Sequence, residues 1–204
     1  EPVYLDPTKD PYDLIKLYAI NAGGFSMISK SLKDAKKAAN PKKFYLDQAQ
    51  ETISTRTEYT KLKNKALVKL EGLYTKDNGK LMYVAKVIDS DSVQYTASTQ
   101  LDIIYENMDS HIQGKGTESN KKRAAEEFIA AAGDTMKNLK IRALVKDAMF
   151  YRFILIKATG WIETLDSGIR LGKVPSEVVT FLSNAENDEV LKSLMNKVEP
   201  YWNA

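Results

Sequence analysis

The chain has 204 residues, 43% hydrophobic and 28% charged, with 30 basic and 27 acidic side chains and a net charge of +3. The lack of cysteine excludes disulfide staples, thiol catalysis and thiolate metal sites, and a single histidine, His111, excludes any site that needs two imidazoles. A charge excess this small argues against nucleic acid as a partner, and six prolines and ten glycines are few turn residues for a sandwich or barrel.

Residues 1–9 carry two prolines and no helical period, so they read as an extended arm before a single domain over 10–204. The first residue is Glu1, which suggests a matured, exported or imported protein. Asp10-Pro11-Tyr12-Asp13 starts a helix with an N-cap acid, a proline at the first helical position and a second acid near the positive dipole end. Leu14, Leu17, Tyr18, Phe25, Ile28, Leu32 and Ala35 follow at roughly helical spacing. Gly23-Gly24 either divides that run or permits a close helix–helix approach, and Asn40-Pro41 ends it.

From about Lys42 to Tyr74, an apolar stripe of Leu46, Ala49, Ile53, Tyr59, Leu62, Ala66, Leu70 and Leu73 opposes Lys61, Lys63, Lys65 and Lys69, as in a surface helix of a bundle. Asn78-Gly79 reads as a turn. Leu81–Ile88 is compatible with helix or with a short hairpin near 73–88; helix is favoured, because a lone two-stranded hairpin is marginal. Asp89–Ser92 supplies an N-cap for the stripe Ala97, Leu101, Ile104, Met108 and Ile112. Gly114-Lys115-Gly116 stops that helix, and Thr117 or Ser119 caps the next. Ile141 to Leu165 is apolar nearly all round and predicts a central helix kinked or ended by Gly160 and Gly168. Pro175 starts a short helix, and a last helix capped at Asn187 or Asp188 stops before Pro200. The fold class is all-α, a bundle of about five to seven helices.

No residue set points to catalysis. His111, near a helix C-terminus where the dipole favours partial charge, has only Ser110 nearby as a nucleophile, pointing elsewhere on the helix. Asp89–Ser92 opens like a calcium loop but lacks the glycine at its sixth position and the glutamate at its twelfth, which are Gln94 and Gln100. Glu126-Glu127, Glu186 with Asp188, and Glu163 with Asp166 are acid pairs by proximity only. No catalytic, cofactor-binding or metal-ligating residue is therefore assigned. Lys36, Lys37, Lys42, Lys43, Lys121, Lys122 and Arg123 are candidate docking residues for an acidic protein or membrane surface, though a solubilising face explains them as well. Tyr201 and Trp202 either fold back onto the body, the favoured reading, or anchor a partner.

The extended arm, Lys42-Lys43-Phe44-Tyr45-Leu46, the long basic helix and the run from Lys122-Arg123-Ala124-Ala125-Glu126-Glu127-Phe128 to Ala132 resemble the PsbQ-type helical extrinsic subunits of photosystem II. The resemblance covers about a third of the chain and lacks that family's tryptophan- and arginine-rich third helix, so no functional residue carries over. It implies a non-enzymatic accessory subunit that stabilises a larger complex, in the thylakoid lumen or, for a bacterial relative, the periplasm. The alternative is a periplasmic or surface bundle that binds a small hydrophobic ligand beside Phe150, Phe153 and Trp161. A carboxylate enzyme ranks third.

Overall fold

The computed structural model describes residues 4–6, 9–22, 27–29, 31–37, 43–46 and 49–204, apart from the side chains of 21 and 49–55. Gly23-Gly24, Asn40-Pro41 and Lys42 lie outside the described residues. The protein is mostly helical, 68% helix and 7% strand. It divides into two compact units, Glu1–Thr57 and Glu58–Ala204.

The first unit holds α1 (Pro11–Asn21), β1 (Ile28–Ser29), α2 (Leu32–Lys37) and β2 (Phe44–Tyr45). The expected helix start is present: the Asp10 side chain accepts from the Tyr12 amide at 2.9 Å, with Pro11 in the first turn. Asp13 accepts from the Asp6 amide and from Lys16 Nζ, which ties the preceding segment to the helix. β1 and β2 pair in parallel, Ile28 opposite Phe44.

Helix α3 (Ala49–Lys76) crosses the division between units, and six more helices follow. They are α4 (Asn78–Ile88), α5 (Leu101–Gln113), α6 (Glu118–Gly133), α7 (Met136–Phe150), α8 (Pro175–Ser183) and α9 (Asp188–Trp202). The second unit thus carries seven helices among its described residues. Leu81–Ile88 is helical, so the hairpin alternative there is excluded, and Asn78-Gly79 belongs to the first turn of α4, capped by Asp77 through the Lys80 amide. The apolar face of α4 decides this: Leu81, Val84 and Ala85 are fully buried at helical spacing.

Two cores form. One gathers Ala66, Leu70, Leu81, Val84, Ile104, Met108, Ile112 and Phe128 from α3 to α6. The other gathers Leu144, Ala148, Ile154, Ile162, Val178, Leu182, Leu194 and Trp202. Tyr83 and Val87 of α4 pack against both.

Three expectations require correction. The stretch from Ile141 to Leu165 is not one helix. Helix α7 ends at Phe150, and an antiparallel sheet follows: β3 (Ile154–Ile156), β4 (Ile162–Thr164) and β5 (Arg170–Gly172). Gly160 and Gly168, at φ 80° and 65°, make the two hairpin turns instead of kinking a helix. The stop itself is a Schellman motif, in which the Phe153 amide donates to the Ala148 carbonyl at 2.8 Å and the Arg152 amide to that of Met149 at 3.2 Å. Arg152 fills the left-handed position at φ 61°, where glycine is the ordinary occupant.

A side chain in that conformation costs about 1–2 kcal/mol, partly offset by the greater freedom that glycine has when unfolded. Arg152→Gly is expected to raise stability by roughly 0.5–1 kcal/mol, read as a higher urea midpoint at unchanged slope.

The second correction concerns Asp89–Ser92, which caps no long helix. It leads through a single 3₁₀ turn, Ser92–Gln94, into a loop, and α5 begins only at Leu101. Third, α9 runs through Pro200 to Trp202. An interior proline costs about 3 kcal/mol of helix stability. Burial of Trp202 on the far side offsets it, and the Trp202 carbonyl accepts from the Ala97 amide at 2.7 Å.

Candidate functional site: the cleft between α5 and α6

A cleft of about 580 Å³ opens where the end of α4 meets the α5–α6 hairpin. The hairpin is set by Gly114, whose φ of 63° and ψ of 161° lie in a region essentially closed to other residues. A Cβ there would sit 2.8 Å from Lys121 Cα, so the backbones approach closely only because it is glycine. Thr117 then caps α6, as expected, by accepting from the Asn120 amide. The two helices run in opposite senses: Gly114 meets Lys121, and His111, further back on α5, meets Glu127, further along α6.

Asp89 forms one wall. Its carboxylate accepts from the Asp91 amide at 3.1 Å, Gln94 Nε2 at 3.0 Å and the buried Tyr95 hydroxyl at 2.6 Å. Asn107 Nδ2 in turn donates to Tyr95 Oη at 3.1 Å. Burial, together with this bond to Asp89, pushes the Tyr95 phenol well above its ordinary range, so it stays a donor that holds the carboxylate in place.

His111 forms the opposite side. Its Nε2 is sheltered from water and makes no hydrogen bond; the nearest acid is Glu127, with Oε2 at 3.7 Å. The dipole-favoured charge expected for this histidine does not prevail. Burial pulls its pKa below the ordinary value, and the Glu127 and Asp89 charges only partly oppose that. A neutral folded imidazole has a definite consequence for stability. Below about pH 6.5 the unfolded chain binds a proton that the folded chain still refuses. This contribution is complete above that pH and is lost as pH falls through the lower folded value. The urea midpoint is therefore expected to drop between pH 7 and pH 5, and His111→Gln to flatten that drop.

The basic residues singled out from the sequence are placed differently. On α6, Lys121 pairs with Glu118 at 3.6 Å, Lys122 with Glu58 at 3.2 Å and Arg123 with Glu127 at 3.5 Å. Only Arg123 lines the cleft, and Lys115 of the hairpin turn joins it. Lys36 and Lys37 end α2 in the first unit, exposed, and Lys43 is exposed beside β2. Trp202 is 3% exposed and is an internal anchor, which removes it from the docking candidates. Tyr201 stays at the surface, stacked on Tyr151 at 4.1 Å. The three rings expected to border an apolar pocket, Phe150, Phe153 and Trp161, are placed as follows. Phe150 is 62% exposed and Phe153 lies against Tyr151 and Tyr201, whereas Trp161 carries Arg170 and Lys173 over its ring at 5.6 and 5.3 Å.

Sequence reasoning missed a buried polar cluster altogether. Lys86 Nζ donates to Asp147 Oδ2 at 2.9 Å and to the Ser92 carbonyl at 3.1 Å, both side chains fully buried. Ser92 Oγ donates to Asp147 Oδ1 at 2.5 Å, and Trp202 Nε1 donates to Asp147 Oδ2 at 2.6 Å. Burial draws the Lys86 ammonium down from its ordinary pKa while the Asp147 carboxylate holds it up. Lys146 closes the end of α4 by donating to the carbonyls of Lys86, Val87 and Asp89. The cluster is sealed, so its work is structural: it fixes α4, whose end carries Asp89, against α7 and α9. The signal was Lys86, the one charge within Leu81–Ile88, and Asp147, the one acid within Ile141–Phe150.

Among the described residues no group of three or more histidine, aspartate or glutamate side chains is placed to hold a metal ion, and no helix is long and apolar enough to cross a membrane. No family model, curated protein or solved structure matches the chain.

Proposed function

We propose that this protein is a non-enzymatic binding protein whose site is the α5–α6 cleft and whose ligand is small and polar. The observation that carries this reading is the cleft itself, of ligand size and lined by the polar side chains of His111, Asn107, Asp89 and Glu127. Small-molecule sites commonly span roughly 300–1,000 Å³ and carry a few convergent polar groups. His111, Asn107, Asp89 and Glu127 supply the convergent polar groups, and their polarity favours a hydrogen-bonding ligand over a hydrophobic one. The test is nuclear magnetic resonance of the histidine-ring nitrogens during titration with a library of polar fragments. Movement of the single ring signal supports the reading; a signal indifferent to every compound ends it.

A second reading, an accessory subunit docked on a larger assembly, is favoured by a different observation. Phe150, Tyr151, Phe153 and Tyr201 form a continuous ring cluster with centroids 4.1 to 6.2 Å apart, and Phe150 and Tyr201 are 62% and 44% exposed. Aromatic rings of this kind supply the anchors of protein interfaces. The partner named by the resemblance is the lumenal face of photosystem II, which also carries the proposed lumenal or periplasmic location. Copurification with a membrane complex, lost in a Phe150→Ser, Tyr201→Ser double variant, is its test.

A further inference from the structure

Helix α5 borders a second hollow, which shares no lining residue with the α5–α6 cleft. A pocket of about 390 Å³ lies between α3 and α5, lined by Glu71 and Tyr74 of the first helix and by Asp102, Tyr105 and Glu106 of the second. Its two half-buried rings meet at 70°, with centroids 5.0 Å apart. Each hydroxyl is taken by a carboxylate of the other helix: Tyr74 Oη donates to Asp102 Oδ1 at 2.6 Å, and Tyr105 Oη donates to Glu71 Oε2 at 3.3 Å. Both phenols are held above their ordinary range, Tyr74 first by the bond to Asp102 and Tyr105 first by burial, with carboxylate charges adding in each case. They therefore stay donors. A hydrogen bond donated to an anion returns electron density to the ring, which strengthens the negative ring face that attracts cations.

The acids here are partnered by phenols and not by bases. At other surface positions of this unit acids meet lysines, as Asp188 meets Lys192 and Asp166 meets Lys197. Among the described residues no lysine or arginine lines this pocket. Nor do its three carboxylates converge on a point, since no group of acids among the described residues is placed to hold a metal ion. They border a space too wide for a bare ion to bridge, and two aromatic rings share its wall. The cation that suits such a space carries its charge on an apolar body. An ammonium with methyl or alkyl substituents does so, and aromatic faces recognise it by the cation–π attraction.

We infer that the Tyr74–Tyr105 pocket binds an organic ammonium ion, its nitrogen substituents against the two rings and its charge offset by Glu71, Asp102 and Glu106. This site stands independently of the α5–α6 cleft.

The same group comes either as a free small amine or as a methylated lysine side chain of another protein, and the experiment separates the two. The full chain is titrated with choline, with the neutral isostere in which a quaternary carbon replaces its nitrogen, and with magnesium chloride at matched ionic strength. Binding is read by calorimetry and by the ring signals of Tyr74 and Tyr105, assigned with Tyr74→Phe and Tyr105→Phe. The expected result is saturable choline binding that moves both rings, about tenfold weaker for the isostere and absent for magnesium. Tyr105→Leu should weaken choline binding about tenfold and Glu106→Gln, at an exposed position, by several-fold, while Glu126→Gln, exposed on α6, leaves it unchanged. A trimethyllysine peptide that binds more tightly than choline identifies a partner's side chain as the source of the cation; one that binds no more tightly identifies a free amine. Choline that moves neither ring overturns the inference, as does an isostere that binds equally well. Magnesium that displaces choline overturns it too, by reducing the pocket to an acidic surface.

Discussion

Replacing Asp147 with alanine is expected to lower the stability of the Glu58–Ala204 unit by about 3–5 kcal/mol, the cost of breaking a buried ion pair from one side. Three donors end on this carboxylate: Lys86 Nζ, Ser92 Oγ and Trp202 Nε1. Its removal leaves an ammonium with only the Ser92 carbonyl, and orphans a hydroxyl and an indole N–H in a site with no water access. Each unsatisfied neutral group costs about 1–3 kcal/mol, and the charged one more. A Lys86→Met, Asp147→Leu double variant should lose less than the two single variants added together, because it leaves no uncompensated charge. Urea unfolding of the four proteins checks this, and additive losses would show that the pair acts as two independent groups. The cluster then tells on function too: in Asp147→Ala the His111 ring signal should broaden, because α4 and Asp89 lose their anchor.

Trp202→Ala carries the next largest expected effect, a loss of about 3–5 kcal/mol, the range for emptying a large aromatic site in a packed core. The ring is buried in the second core, meets Tyr83 edge-on at 5.5 Å and lies under Lys86 at 5.4 Å. Trp202→Phe separates packing from polarity. It keeps most of the ring but strips one donor from Asp147, and should cost about 1–3 kcal/mol. Equal losses in the two variants would show that the hydrogen bond carries most of the effect. The same residue explains why α9 tolerates Pro200: the helix must continue two residues further to deliver this indole.

Helices were legible wherever a cap or a stripe was local. Asp10-Pro11, Thr117 and the buried spacing of Leu81, Val84 and Ala85 needed no distant partner to be understood. Gly114 was legible as a helix stop, although not as the point where two backbones touch. The small sheet was misread because its signals compete. Phe150 to Ile156 is apolar enough for a buried helix, and the stop residue is arginine, where glycine is usual. Two glycines eight residues apart, each following a hydroxyl-bearing residue (Thr159-Gly160 and Ser167-Gly168), were the better guide, since hairpin turns recur at that interval. Asp89–Ser92 was misread for a different reason. Its short polar side chains suit a cap, and the bond from Ser92 to Asp147 spans 55 residues, beyond any local rule.

The cleft was the least legible part. His111 and Arg123 had been noted singly, and Asp89 as a cap, but the site depends on α5 and α6 running antiparallel with α4 laid across their open end. Periodicity says which face of a helix is buried; it does not say which of its polar residues meets which. The pairing of Lys122 and Arg123 was illegible for the same reason, because their glutamates belong to α3 and to the next turn of α6.

Helix α4 presents Tyr83 and Val87 to both hydrophobic centres, so it is the party wall of the Glu58–Ala204 unit. Neither room can be emptied while the other stays furnished: melting the sheet side strips one flank of α4, and melting the hairpin side strips the other. Unfolding of that unit is accordingly an all-or-none event, and the cleft at the end of α4 persists or vanishes with the whole of it.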